Sequence, residues 1–332
     1  MKLVTYLDHS GVARAGALVD AERQIADLAC LDAAINGSGK TDYSSVLNMI
    51  EAGPAALEMA YRLLEEASGD HCIARAGTVL LAPVQPIPQM RDCLCFETHL
   101  VQAFEAARKV RANATSDPAA AMAEMERTGE LRIPATFYDQ PIYYKANRFA
   151  VTGTDHDVTW PTYSKLMDFE LEFGFYINST CVDVTKARAR DVIYGYTILN
   201  DFSARDAQTA EMGGQLGPAK GKDFDRANAM GPCLVTADEI KDPYDLTMIA
   251  RVNGEEWGRG HSGTMHWSFE DLIAHVSRSE TLYPGEFFGS GTVGNGCGLE
   301  HMRFLQHGDV VELEVEGIGV LRNKVQAPHL VS

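Results

Sequence analysis

From Pro141 onward the chain is a succession of short apolar runs, at 149–152, 169–177, 192–199, 233–235, 248–252, 286–289 and 310–315, set off by clusters of Gly, Pro, Asn and Asp. Runs of this length, rich in β-branched and aromatic residues, read as strands, and the bounding residues are those that turns require. One helical pattern, 268–277, stands out among them. A doubly wound parallel sheet needs a helix between most successive strands. This part of the chain therefore reads as β-rich α+β.

The N-terminal portion differs. Residues 1–85 read as a small domain, with a strand at 3–6, a hairpin-like stretch over 11–28, and helical spacing of Val46, Met49, Ile50, Ala56, Met59 and Ala60 within 43–67. The stretch 80–88, with Pro83, Pro86 and Pro88, crosses into a catalytic domain over 86–332. Within it, 100–132 is rich in Ala, Glu, Arg, Met and Lys and breaks near 113–118. Such material forms a helical excursion, either a lid or a surface hairpin.

Charge and cysteine usage narrow the partners. A formal net charge of -17 repels phosphate backbones and excludes nucleic acid as a partner. An anionic substrate then needs a local cation, a metal or placed Lys and Arg. No apolar stretch approaches the ~18 residues of a membrane span. The first residues turn polar at Asp8 and His9, without a signal peptide's apolar core, so a cytoplasmic location is expected. Seven cysteines, an odd number with only Cys93 and Cys95 close together, read as reduced and mostly buried thiols.

Four motifs bear on chemistry. Residues 289–294 match G-x-G-x-x-G, but Asn295, Gly296 and Gly298 prolong the loop where a nucleotide-binding helix would start. A loop that lets backbone approach a ligand closely is the better reading. Asp168, Glu170 and Glu172 alternate with Phe169, Leu171 and Phe173, so on a strand the three carboxylates share one face. That face is either solvated or relieved of its repulsion by a hard divalent cation. Asp201 closes the 192–199 run in a polar turn, and His99 follows Asp92 by seven residues. Either becomes functional only beside the right partners.

Together, the stretch around Glu170 and Glu172, the N-D-F-S-A-R-D run from Asn200, Gly221-Lys222-Asp223 leading to Gly231-Pro232, Asn253-Gly254-Glu255, Pro284-Gly285-Glu286, Gly291-Thr292 and His307-Gly308-Asp309 resemble the fumarylacetoacetate hydrolase family, in the family's order, over about 85–328. The resemblance implies a mixed β-roll or sandwich-like C-terminal domain behind a small N-terminal one, and a homodimer. It implies a divalent metal (Mg²⁺, Mn²⁺ or Ca²⁺) held by Asp92, Glu170, Glu172 and Asp201, with Asp168 a neighbour. It casts His99 as the general base oriented by Glu300, Lys222 and Gln208 as oxyanion donors, and Arg108, Tyr144 and Thr292 as substrate contacts. Two departures stand out: Gln102 where many short-chain members carry the orienting Glu, and Met212 at a position that is Tyr in the family. The implied reaction is hydrolysis of a carbon–carbon bond in a small dioxo acid. The alternative is decarboxylation, isomerisation or hydration of an oxo acid on the same scaffold.

Overall fold

A computed structural model of the chain describes residues 1–37, 42–67 and 71–331. The fold is α+β and sheet-rich. The central strands, Leu171–Ile177, Ile193–Asp201 and Asn228–Thr236, are antiparallel neighbours and buried along their whole length. Such strands read as continuous apolar runs because both faces are covered. Alternate side chains go to two different cores. Phe173, Phe175, Ile177, Tyr196 and Ile198 pack on one side with Phe269, Val252 and Leu313. Tyr176, Tyr194, Leu199, Met230 and Leu234 pack on the other with Leu31, Met49, Ile50 and Leu63.

The N-terminal strand Lys2–Leu7 extends this sheet by pairing with Asn228–Thr236, and Ala13–Val19 and Gln24–Asp27 continue outward from it. The helices Leu28–Asn36, Val46–Glu51 and Pro54–Glu65 cover the back face. At the other edge, Leu171–Ile177 pairs with Phe287–Gly289, which runs parallel to Met90–Cys93, and Tyr143–Lys145 closes the row. A five-stranded sheet, in the order Glu255–His261, Thr247–Val252, Val310–Val315, Gly319–Gln326, Asp157–Thr159, packs on the front. The helix Phe269–Val276 lies there too, opened by a reciprocal cap between Ser268 and Asp271.

The strands at 193–201, 247–252, 287–289 and 310–315 lie where the apolar runs put them. The 149–152 run shrinks to Val151–Thr152, and Phe149 is 75 % exposed. The helical excursion is two helices, Glu97–Asn113 and Pro118–Thr128, the second capped by Asp117 and ended by Gly129 in the left-handed region. A helix for which the sequence offers no apolar pattern, Arg205–Met212, follows directly on the polar turn at Asp201. Only Arg205 of its eight residues is buried, so it shows no apolar stripe. Among the described residues no helix is long and apolar enough to cross a membrane.

Candidate active site and metal centre

Three strands deliver one carboxylate each. Met90–Cys93 brings Asp92, Leu171–Ile177 brings Glu172, and Ile193–Asp201 ends on Asp201. One oxygen from each of the three lies within 4.8 Å of the others. All three side chains are buried, as are Asp168 and Glu170. A solvated acidic face is therefore not what forms. The glycine-rich segment after Gly289 and the chain from Arg205 to Lys222 fold over it.

Burying like charges this closely suppresses ionisation. Desolvation, then Asp92, Glu170 and Asp201, push the Glu172 carboxyl well above its ordinary value. Desolvation raises Asp201 to about 7, with Glu170 and Asp92 adding to it and Lys222 opposing. Asp92 is also raised, chiefly by desolvation. Asp201 Oδ1 is buried without a hydrogen-bond partner. A hard divalent cation suits this set: it would replace the protons, take the orphaned oxygen and cancel the repulsion.

Glu170, expected as a fourth ligand, precedes its strand and bridges Cys297. Its oxygens turn to two cations, Oε1 accepting from Arg205 Nη1 at 2.8 Å and Oε2 from Lys222 Nζ. Burial alone would raise its carboxyl, but Lys222 and Arg205 outweigh burial and hold it at about 2. Lys222 Nζ also donates to Asp201 Oδ2 at 2.6 Å, so this ammonium joins Glu170 to the triad. Gly221 makes the approach feasible, because a Cβ there would stand 2.6 Å from Gln208 Cβ. Gln208 Oε1 in turn accepts from Arg205 Nη1 at 3.0 Å.

The remaining expected residues divide. The Tyr144 hydroxyl donates to Asp201 Oδ2 at 2.9 Å, and the Thr292 hydroxyl to Glu172 Oε1 at 3.3 Å. Gly291 N–H donates to the other Glu172 oxygen, so the close approach of the glycine-rich loop is to the protein's own carboxylate. His99 Nδ1 lies 2.9 Å from Glu300 Oε1, and Glu300 Oε2 accepts from Cys297 N–H. Gln102, where a Glu would otherwise orient the histidine, clasps Asn295 instead. Its amide donates to Asn295 Oδ1 at 2.7 Å and accepts from Asn295 N–H at 3.1 Å.

Arg108 is not brought to the cluster. The helix that carries His99 continues to Asn113, and nine positions on is about two and a half turns, hence the opposite face and ~13 Å along the axis. There Arg108 donates to the Leu131 carbonyl and lines a separate 410 Å³ cavity with Val101, Phe104 and Tyr138. Met212 ends its helix 51 % exposed.

Two residues of the site escape the sequence reading. Arg205 opens the overlooked helix, and its signal was its place within N-D-F-S-A-R-D. Asp168, taken as a bystander, is a junction. It accepts from Gly298 N–H at 2.8 Å, Leu299 N–H at 3.0 Å and Arg205 Nε at 2.7 Å. It thereby fixes the turn that carries Glu300 to the arginine that holds Glu170. Gly298 is required at this turn, since a Cβ would fall 2.0 Å from the Arg303 carbonyl. Asp168→Asn should lower kcat by about 10–100-fold, as loss of outer-shell orienters does, with KM little changed. Steady-state kinetics beside a thermal melt check this, and wild-type kcat would exclude the junction role.

The family model described as fumarylacetoacetate (FAA) hydrolase C-terminal matches residues 111–326. A Burkholderia lata protein carrying a provisional hydrolase name is 38 % identical over 182 residues, which are 54 % of this chain and 64 % of that protein. The match thus spans under two thirds of the curated relative. Over 98 % of this chain and 100 % of its own, a fumarylacetoacetate hydrolase from Exiguobacterium antarcticum has the same fold, with TM-score 0.72 and 23 % identity. So does a maleylpyruvate hydrolase from Sphingobium sp. SYK-6 in complex with manganese(II) and pyruvate, with TM-score 0.69 and 19 % identity over 98 % of this chain and 99 % of that one. With the family model matched over well over half its length, the chain belongs to the fumarylacetoacetate hydrolase family.

Proposed function

We propose that this protein is a divalent-metal hydrolase that cleaves a carbon–carbon bond in a small dioxo acid of the acylpyruvate or fumarylacetoacetate type. The observation that carries the reading is the His99–Glu300 pair linked to the buried Asp92–Glu172–Asp201 triad through Glu170, which bridges Cys297 beside Glu300 and shares Lys222 with Asp201. Asp92, Glu172 and Asp201 would hold the cation, with Glu170 beside them. When bound, the metal supplies Lewis acidity toward the substrate's dioxo oxygens. The manganese and pyruvate in the maleylpyruvate hydrolase structure support that pairing of ion and oxo acid.

Glu300 accepts from His99 Nδ1–H and fixes the tautomer, leaving Nε2 as the base. His99 takes a proton from water as the water oxygen bonds to the distal carbonyl carbon. Lys222 and Gln208 donate to the oxygen on which charge develops, worth about 3–4 kcal/mol per donor in comparable sites. The C–C bond breaks, and the imidazolium returns its proton to the departing carbon. With Arg108 on the far face, Lys222 and Arg205 are the cations bordering the carboxylates.

Protein stripped with a chelator and resupplied with Mg²⁺, Mn²⁺ or Ca²⁺ is the direct test. Turnover of an acylpyruvate should return only with metal, yielding pyruvate and a carboxylic acid in equal amounts. Metal-free turnover, or carbon dioxide or an isomer as product, would overturn the reading.

A further inference from the structure

Cys297 has no part in the scheme above, yet its thiol stands in the site wall. Its backbone bridges Glu170 in antiparallel pairing, and directly opposed residues project to the same face. The side chain is buried. Burial, then the charges of Glu300 and Asp168, push its thiol well up, so it rests as a small neutral group. One donor atom each from His99, Cys297 and Glu300 lies within 4.8 Å of the other two.

The two donor sets sort metals by softness. Asp92, Glu172 and Asp201 offer oxygen alone, which suits Mg²⁺, Mn²⁺ or Ca²⁺. Imidazole nitrogen, thiolate sulfur and a carboxylate oxygen suit Zn²⁺ and its neighbours, with a fourth position open to water. We infer that His99, Cys297 and Glu300 form a second, thiophilic metal site, at which Zn²⁺ binds and blocks the enzyme by capturing its base. On binding, the Cys297 S–H bond breaks and its proton leaves to solvent. Zinc–sulfur, zinc–nitrogen and zinc–oxygen bonds form, and as the His99–Glu300 hydrogen bond gives way the Nδ1 proton passes to solvent while Nε2 takes one up, so the ring stays neutral. Nothing is oxidised or reduced. The site rests on the donor geometry alone, and the block to turnover rests on His99 acting as the base proposed above.

The test uses the full chain saturated with Mg²⁺, which fills the oxygen site, and titrates Co²⁺ as a coloured stand-in for zinc. A saturable thiolate-to-cobalt charge-transfer band in the near ultraviolet is expected. It should vanish in Cys297→Ser and His99→Ala and persist in Cys95→Ala, whose buried thiol lies outside the cluster. Zn²⁺ should bleach the band and inhibit turnover in parallel. Cys297→Ser, which keeps turnover, should weaken zinc inhibition roughly a hundredfold, the share of one ligand in a zinc site. Cys297→Ala repeats the comparison without any polar group, should the serine disturb folding. A missing band, or an equal band in both Cys297 variants, overturns the inference. Zinc inhibition relieved by excess Mg²⁺ and unchanged in Cys297→Ser also overturns it, placing the ion at the carboxylates. The band is read without turnover, so failure of the hydrolase reading leaves this test intact.

Discussion

Replacing His99 with Ala should suppress hydrolysis of an acylpyruvate by about 10²–10⁴-fold, the usual contribution of a positioned general base. Glu300→Gln should cost a similar factor, because the carboxylate 2.9 Å from His99 Nδ1 sets the tautomer that leaves Nε2 basic. The double variant should be scarcely worse than either single one, since the two act as one unit. Decarboxylation of an oxo acid needs a metal electron sink and no activated water. Any oxaloacetate decarboxylation should therefore survive in both variants. Single-turnover rates on the two substrates separate the cases. Wild-type hydrolysis in both variants would rule out the pair as base and orienter and favour the decarboxylase or isomerase alternative.

Adding a divalent metal should raise the melting temperature, and the rise should grow with pH. In the metal-free protein Asp201 keeps its proton up to about 7, whereas the unfolded chain releases it near 3.8. Between those values the folded state binds more protons, so this group's contribution to stability falls as pH rises. Glu172, raised further by burial and its neighbours, prolongs the fall to higher pH. Glu170 runs the other way: its contribution is present above 4.5 and lost as pH falls toward about 2. A cation must displace the protons on Asp201 and Glu172, so its affinity climbs with pH. At a hundredfold excess over Kd the stabilisation is about 2.7 kcal/mol, a shift of about 4 °C for a chain of 332 residues. Melts in chelator and in Mg²⁺, Mn²⁺ or Ca²⁺ at about pH 6 and about pH 8 test both the size and the sign. A melting temperature indifferent to metal at both would remove the triad as a metal site.

Local patterns carried most of the secondary structure. The run at 310–315 became the strand Val310–Val315, and 268–277 became a helix capped by Ser268, because period and cap chemistry are written in adjacent residues. Of the central strands, Ile193–Asp201 was legible as a nearly unbroken apolar stretch, whereas Asn228–Thr236 showed only at 233–235, because Asn228, Gly231 and Pro232 interrupt its first half. The helix Arg205–Met212 was not legible, since it buries little beyond Arg205 and that arginine answers to Asp168 and Glu170, 37 and 35 positions earlier in the chain.

The site divides in the same way. Residue order alone put His99, Glu300, Lys222 and the carboxylates forward through the resemblance. Which carboxylates converge was decided only when three strands from distant parts of the chain were laid in register. That register gathered Asp92, Glu172 and Asp201 and left Glu170 to Lys222 and Arg205. Alternation along 168–173 showed that the acids share a side. It held no information on what would cover that side, and hence none on whether they would sit in water or carry raised pKa values. Arg108 shows the same limit from the other direction: its spacing from His99 was plain, but the meaning of nine positions depends on whether the helix continues, and here it does. Short-range geometry is fixed by neighbours in the chain, whereas ionisation, ligand sets and facing depend on groups that only folding brings within a few ångströms.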